Sequence, residues 1–125
     1  MTVDKAVITT QEVADRFNEF AMQVKWFEIQ DELFADNVKS IEPANSPYLK
    51  NAQGKLSVRQ KAMDFVGQIE EVHGSSTTEP ILAGNHFAVG RVVDITTKLY
   101  GRIKFEEIML YEVKDGQIVS EQFFY

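Results

Sequence analysis

From His86 to the C-terminus the chain alternates apolar and polar residues in long runs broken by short turn signals. This period of two constrains the fold more than any other feature, because it commits the second half of the chain to half-buried strands. Gly84-Asn85 and Asp115-Gly116 are tight hairpin dipeptides, and TKLYGR marks a looser turn near Leu99. The chain therefore reads as a strand meander from Ser75 onward. One face of such a meander needs an apolar cover, which the first half of the chain must supply.

Thr9 and Glu12 have the spacing of a capping box, and Val13, Phe17, Phe20, Ala21 and Val24 then recur on one helical face. WFEIQDELF predicts a second, shorter helix with Trp26, Ile29, Gln30 and Leu33 along one side. ADN breaks it, and the strand VKSIE follows, closed by Pro43. Residues 44–56 collect Asn, Ser, Pro and Gly and read as a loop. Ser57 and Gln60 open a third helix that buries Val58, Ala62, Phe65, Val66 and Ile69 and ends at His73-Gly74. The expected fold is α+β: three N-terminal helices packed on a strongly curved antiparallel sheet. The 125 residues suffice for one core, so a single domain over 1–125 is expected.

A net charge of -6 without clustered Lys or Arg argues against a nucleic-acid partner. The apolar runs are too short for a membrane span, and the N-terminus lacks a signal peptide's apolar centre, so a cytoplasmic protein is expected. With no cysteine there is neither a disulfide nor a thiolate metal site. His73 and His86 lack ligand-spaced carboxylates, and no phosphate-cradling glycine loop, dinucleotide fingerprint or G-x-S-x-G elbow is found. No metal and no cofactor are expected. Nine Phe, four Tyr and one Trp suit a large core or an apolar cavity, and the expected partner is a small apolar or amphipathic molecule.

The informative charges share parity with apolar residues. Arg91 falls in the set Phe87, Val89, Val93 and Ile95, and Glu107 in the set Ile103, Phe105, Met109, Tyr111 and Val113. A turn near Leu99 sets the two charges opposite each other. In the last strand either Val119, Glu121, Phe123 and Tyr125 or Ile118, Ser120, Gln122 and Phe124 face inward. The first set is favoured, with Glu121 near Met109 and Phe123 near Glu107. Isolated buried ions cost several kcal/mol each, so inward charges pair, neutralise or line a wet cavity. A structural Arg91-Glu107 pair meets that requirement, and so does a carboxyl whose pKa an apolar pocket raises. Glu42, at a strand end before Pro43, is either a rim charge or a general base. His73 either caps a helix or contacts a ligand. Ile108 and Leu110, of the opposite parity, need cover, so a homodimer through the outer sheet face is expected.

The strings TTQEVADRF, ELFADNVKSIEP and FEEIMLYEVKDGQIVSEQFFY span nearly the whole chain. In this order they resemble the SnoaL-like proteins of the nuclear transport factor 2 superfold, relatives of polyketide cyclases and ketosteroid isomerase. The resemblance implies a cone of three helices closing a curved sheet around a pocket. It also implies that Glu42, the acid before proline, matches the isomerase's proton-shuttling base. With a one-residue gap, Glu107 matches the protonated acid of its oxyanion hole. Phe20 stands where the isomerase has a tyrosine and cannot donate a hydrogen bond, so steroid isomerisation is not implied. On this basis the candidate catalytic residues are Glu42, Glu107 and His73. The candidate ligand contacts are Arg91, Phe20, Trp26, Met109, Tyr111, Glu121 and Phe123. The implied function is proton transfer on an apolar carbonyl compound, as in an isomerase or cyclase. The alternative is a non-catalytic protein that holds a hydrophobic ligand.

Overall fold

A computed structural model describes residues 8–125. Helix α1 (Thr10–Met22) begins where Thr9 Oγ1 accepts a hydrogen bond from the Glu12 backbone N–H at 3.1 Å. It buries Val13, Ala14, Phe17, Phe20 and Ala21, as the helical period requires. Val24 lies past the helix end at φ 58 and is 65% exposed, so the chain turns there instead of extending the buried stripe. Helix α2 (Trp26–Leu33) buries Ile29, Gln30 and Leu33. Strand β1 (Phe34–Ile41) follows it directly, and ADN lies inside that strand, where the register with its neighbour shifts. Asp36 and Asn37 are tolerated because they sit exposed at this irregularity, while Ala35 is buried.

The 44–56 segment holds a short strand, β2 (Ala52–Gln53), and the start of helix α3 (Lys55–Gln68). The N-cap of α3 is Gly54 at φ 89, so Ser57 and Gln60 fall within the helix and do not open it. Of the expected stripe only Val58 is buried, and Val66 is 51% exposed. Arg59 ties α3 to α2, donating from Nε to Gln30 Oε1 at 2.7 Å and from Nη2 to the Phe27 carbonyl at 2.8 Å, with Asp31 as ion partner. The buried Gln30 thereby gains a charged donor.

The sheet continues with β3 (Ile69–Thr77), β4 (Ile81–Ala83), β5 (His86–Thr97), β6 (Gly101–Lys114) and β7 (Gln117–Phe124). Its order is β2-β1-β7-β6-β5-β3, with β4 also paired to β5. All pairs are antiparallel except β1 with β7, which run parallel, so the sheet is mixed. His73 lies within β3 and ends no helix. As an edge strand, β3 keeps nearly all its side chains exposed and shows no apolar alternation that a sequence reading could detect.

Arg91 pairs with Glu107 in the β5–β6 register. In β7 a register shift between Glu112 and Val113 leaves Val119 unpaired, so Tyr111 faces Glu121 and Met109 faces Phe123. The bulge also changes parity: Ile118 before it and Glu121 after it both point to the buried side. The favoured inward set therefore holds for Glu121, Phe123 and Tyr125, with Ile118 replacing Val119, and the register is two residues off the expected one: Glu121 lies opposite Tyr111, not Met109, and Phe123 opposite Met109, not Glu107.

Phe17 sits at the centre of the core, with ring centroids 4.7 Å from Tyr111, 5.2 Å from Phe87 and 5.9 Å from Trp26. A smaller cluster of Val93, Ile95 and Phe105 packs with Tyr48, Phe65, Ile69 and Ile103 at the other end. Because Phe17 is 1% exposed and bridges helix and sheet, Phe17→Ala is expected to cost about 3–5 kcal/mol in a urea titration. A loss below about 1 kcal/mol would show that α1 is not held through this ring.

Candidate functional site

The ends of β1, β7 and α3 meet on the buried side of the sheet. Ser40 on β1 and Glu42, one residue past its end, project to the same side and are 0% and 6% exposed. The Glu42 backbone N–H donates to Asn51 Oδ1 at 2.7 Å, which fixes the strand end against the 44–51 loop. Its carboxylate accepts from Lys61 Nζ at 2.7 Å through Oε2 and from the Tyr125 hydroxyl at 2.7 Å through Oε1. Tyr125 Oη also lies 2.6 Å from Ser46 Oγ, which closes the loop over this corner.

Lys61 makes a second bond, donating to Ser40 Oγ at 2.6 Å, and Ser40 in turn donates to Glu121 Oε2 at 2.7 Å. The result is an unbroken chain of hydrogen bonds from Glu42 through Lys61 and Ser40 to Glu121. A buried ammonium–carboxylate pair of this kind needs every remaining donor and acceptor satisfied to offset desolvation, and Ser40 and Tyr125 do much of that here.

Glu107 lies beyond Glu121. Burial pushes its carboxyl up to about 7; Arg91 opposes the shift and the Glu42 charge adds to it. Burial likewise pushes Glu121 up to about 7, against the Ser40 hydrogen bond and Lys61 and with help from Glu42 and Glu107. The fully buried Tyr111 phenol is raised well above its usual value, first by burial and then by Glu121 and Glu107. Tyr125 is raised as well, chiefly by burial. Three carboxyls thus share one low-dielectric space, and two of them exchange protons near neutrality.

Arg91 stands opposite Glu107 in the ladder but forms no ion pair with it. Its Cζ instead lies 4.3 Å from the Trp26 ring centroid, a cation–π contact. Arg91 Nε and Trp26 Nε1 are both buried with no acceptor among the described residues. Burial lowers the Arg91 pKa, against the pull of Glu107. The salt bridge expected as the structural explanation of the two inward charges is therefore absent, and Trp26 holds the guanidinium in its place.

Of the sequence candidates, the fold brings together Glu42, Glu107, Glu121, Arg91, Tyr111, Met109, Trp26 and Phe123. The Tyr111 hydroxyl reaches Met109 Sδ at 3.5 Å, and the Phe123 ring centroid lies 5.5 Å from Lys61 Nζ. Phe20 packs in the core beneath the Arg16 guanidinium, at 4.2 Å from its ring. His73 does not join the cluster. Its Nε2 is 2.7 Å from Thr96 Oγ1, on the outer face of the sheet with Asp94. Sequence reasoning missed Lys61 and Ser40. Lys61 follows Val58 by three residues and precedes Phe65 by four, so a charge on the buried stripe was its available signal. Ser40 could have been found from its shared parity with Glu42.

Among the described residues no group of three or more His, Asp or Glu is placed to hold a metal ion, and no helix is long and apolar enough to cross a membrane. The model of a family described as a SnoaL-like domain matches residues 8–125. A solved structure from Mesorhizobium loti is 34% identical, covering 94% of this chain and 99% of its own at a TM-score of 0.87. It is provisionally described as a SnoaL-like polyketide cyclase, with carbohydrate phosphatase as a second label. A Catenulispora acidiphila protein with a ketosteroid isomerase-like fold, solved with trimethylamine, is 20% identical at a TM-score of 0.63, over 78% of this chain and 72% of that one. A nuclear transport factor 2-like protein of unknown function from Burkholderia pseudomallei is 16% identical at a TM-score of 0.72, over 93% and 89% of the two chains. These last two show the shared fold, which is the one the sequence resemblance implied. No curated protein matches the chain.

The raised carboxyls set a pH dependence. Folded, Glu107 and Glu121 keep their protons up to about 7, whereas their ordinary value is 4.5. The folded chain binds more protons between these limits, so their contribution to stability is complete below 4.5 and is lost as pH rises through 7. Glu32 and Asp94, held low by Arg16 and Arg102, act in the opposite sense but at more acid pH. Denaturant titrations between pH 5 and 8 are expected to show stability falling with pH, and Glu121→Gln is expected to flatten that fall. An unchanged slope in the variant would show that Glu121 titrates alike in both states.

Proposed function

We propose that this chain, which belongs to the SnoaL-like domain family, transfers a proton at the carbon beside the carbonyl of a small apolar compound, with Glu42 as the base. The observation that carries this reading is the convergence of Glu42 with two carboxyls that titrate near neutrality in one buried space. Proton transfer through an enolate needs a base to take the carbon-bound proton and a donor to support the developing oxygen charge. Glu42 fills the first role. Glu107 in its protonated form fills the second, and Arg91 adds positive charge beside it. Met109, Phe123 and Trp26 form the apolar wall that excludes water. His73, on the outer face, has no part in this scheme.

The competing reading is a carrier that holds a hydrophobic ligand without reaction. It is favoured by the occupation of both Glu42 oxygens, one by Lys61 and one by Tyr125. Deuterium exchange separates the two. Wild-type protein in D2O is expected to accelerate loss of the α-proton signals from a panel of cyclic ketones and 1,3-diketones. Glu42→Gln is expected to reduce that rate by about 10²–10⁴-fold. The rate is also expected to fall as pH rises through about 7, where Glu107 loses its proton. Binding of the panel without any acceleration would establish the carrier reading.

The apolar residues left exposed on the outer face, Ile108 at 54% and Phe124 at 48%, support a homodimer through that face. Size-exclusion chromatography is expected to give the dimer mass at micromolar concentration, and Ile108→Lys to give the monomer. A wild-type monomer would reject this assembly.

A further inference from the structure

Proton transfer requires an open oxygen on Glu42, and in the resting protein both are covered. The two covers are unequal. Lys61 stands inside α3, its side chain is 14% exposed, and its ammonium also binds the fully buried Ser40 hydroxyl. Withdrawing it would strand a charge and a hydroxyl in a dry space. Tyr125 is held far less. It lies past Phe124, the last residue of β7 to pair with β6, and past Gln122, the last to pair with β1. It therefore stands outside both ladders, and it is 36% exposed. Its ring rests edge-on against Phe105, with centroids 5.1 Å apart, and its hydroxyl adds two polar contacts.

The hydrogen bonds at Tyr125 run in one direction. A phenol has one proton, and burial raises the pKa of this one, so the hydroxyl keeps its proton and donates it to Glu42 Oε1 at 2.7 Å. Ser46 Oγ, 2.6 Å away, is then the donor to Tyr125 Oη. Ser46 Oγ in turn accepts from the backbone N–H groups of Tyr48 and Leu49, each at 3.3 Å. The chain thus passes from the loop backbone through two hydroxyls and ends on the Glu42 charge. Asn51 ties the far end of the same loop to the Glu42 backbone N–H at 2.7 Å. Residues 46–51 are fastened in this way to both the side chain and the main chain of one glutamate.

We propose that Tyr125 is the displaceable cover of the base: substrate takes its place at Glu42 Oε1, and its departure unfastens residues 46–51. The inference rests on Glu42 acting as base, and adds which oxygen reacts and what uncovers it. Oε2 stays on Lys61. In the step itself Oε1 bonds to the proton of the substrate carbon, the C–H electron pair passes into the enolate, and Glu42 becomes neutral. A neutral carboxyl is a weaker acceptor than a carboxylate, so Tyr125 has less to return to until the proton is handed back. Loop opening is thereby tied to the half of the cycle in which the base carries the substrate's proton. Tyr125 acts on the reaction only through Glu42, as a positioning residue.

The test compares the wild-type chain with Tyr125→Phe, which keeps the ring against Phe105 and removes the hydroxyl, and with Ser46→Ala, which frees the loop but leaves the Tyr125–Glu42 bond. Two readouts need no turnover. One is amide hydrogen exchange across residues 46–51. The other is labelling of Glu42 by a water-soluble carbodiimide with glycine ethyl ester, read by peptide mass spectrometry, with any amide formed to Lys61 counted as label. Tyr125→Phe is expected to speed both amide exchange at Tyr48 and Leu49 and labelling of Glu42 by about tenfold. Ser46→Ala is expected to speed the same amides and to leave Glu42 labelling near the wild-type rate. Amides of α3 are expected to exchange alike in all three proteins, which separates local release from general destabilisation. With the ketone panel in D2O, Tyr125→Phe is expected to lower KM more than it changes kcat, because no hydroxyl competes for Oε1. Unchanged Glu42 labelling in Tyr125→Phe, a raised KM, or labelling increased as much by Ser46→Ala would each overturn Tyr125 as the cover. Labelling and loop release as expected, without ketone exchange in any of the three proteins, would support the cover and refute Glu42 as base. Ketone exchange by the wild type with labelling unchanged in Tyr125→Phe would refute the cover alone.

Discussion

One buried ammonium organises the interior of this protein. Lys61 reaches from α3 to Ser40 on β1 and to Glu42 just past its end, and through Ser40 its hydrogen bonding extends to Glu121 on β7. Removing an ion pair from water is costly, and a lone carboxylate in the same place would cost more still. Position and protonation of the whole cluster therefore depend on α3 lying where it does. The helix contributes little apolar burial of its own, with Val58 as its single buried residue, so its docking rests on polar contacts at both edges. Arg59 provides the contact on the α2 side and Lys61 the one on the sheet side.

The second constraint is the parallel pairing of β1 with β7. Ser40 aligns with Glu121 in that ladder, and the bulge at Val119 turns Glu121 inward after Ile118 has already been committed to the core. Without the extra residue, the parity that buries Ile118 would send Glu121 to the outer face. A single irregularity thus lets one short strand serve both the apolar core and the buried polar cluster. Bulges commonly re-aim side chains beside functional sites, and this one does so for the residue at the far end of the hydrogen-bond chain.

How much of this was legible follows from where the forces act. Tight turns and alternation are local, so the pairing of Arg91 with Glu107 could be read from His86, Leu99 and the apolar parity alone. The cap at Thr9 is local too. The β7 bulge is not, because both candidate parities contain apolar residues and the choice depends on the neighbouring strands. Residues 69–74, the first part of β3, were hidden for a different reason. An edge strand buries almost nothing, so Glu70, Glu71 and His73 carry no alternation to betray it, and His73 was assigned to a helix end. The ion pair of Glu42 required knowing that α3 crosses the end of β1, a tertiary fact that no window of sequence contains. Glu42 stands out by resemblance and Lys61 by its place on the buried stripe of α3, but that the two pair is shown only by the structure.

The charge count of the interior shows why its protons are mobile near neutrality. Glu42, Glu107 and Glu121 face two cations, Lys61 and Arg91. Lys61 bonds to Glu42 directly, while Arg91 lies against Trp26 and influences Glu107 only through space. Glu121 receives a single hydrogen bond, from Ser40, and feels Lys61 at one remove. One carboxyl is therefore ion-paired, one partly compensated and one left mainly to its own desolvation. This gradation in partners separates an ion-paired carboxylate from two groups whose burial raises them to about 7. An apolar interior of equal volume would be as stable or more so, and a fully paired one would lose stability only at more acid pH. The incomplete pairing costs stability and leaves Glu107 and Glu121 raised to about 7.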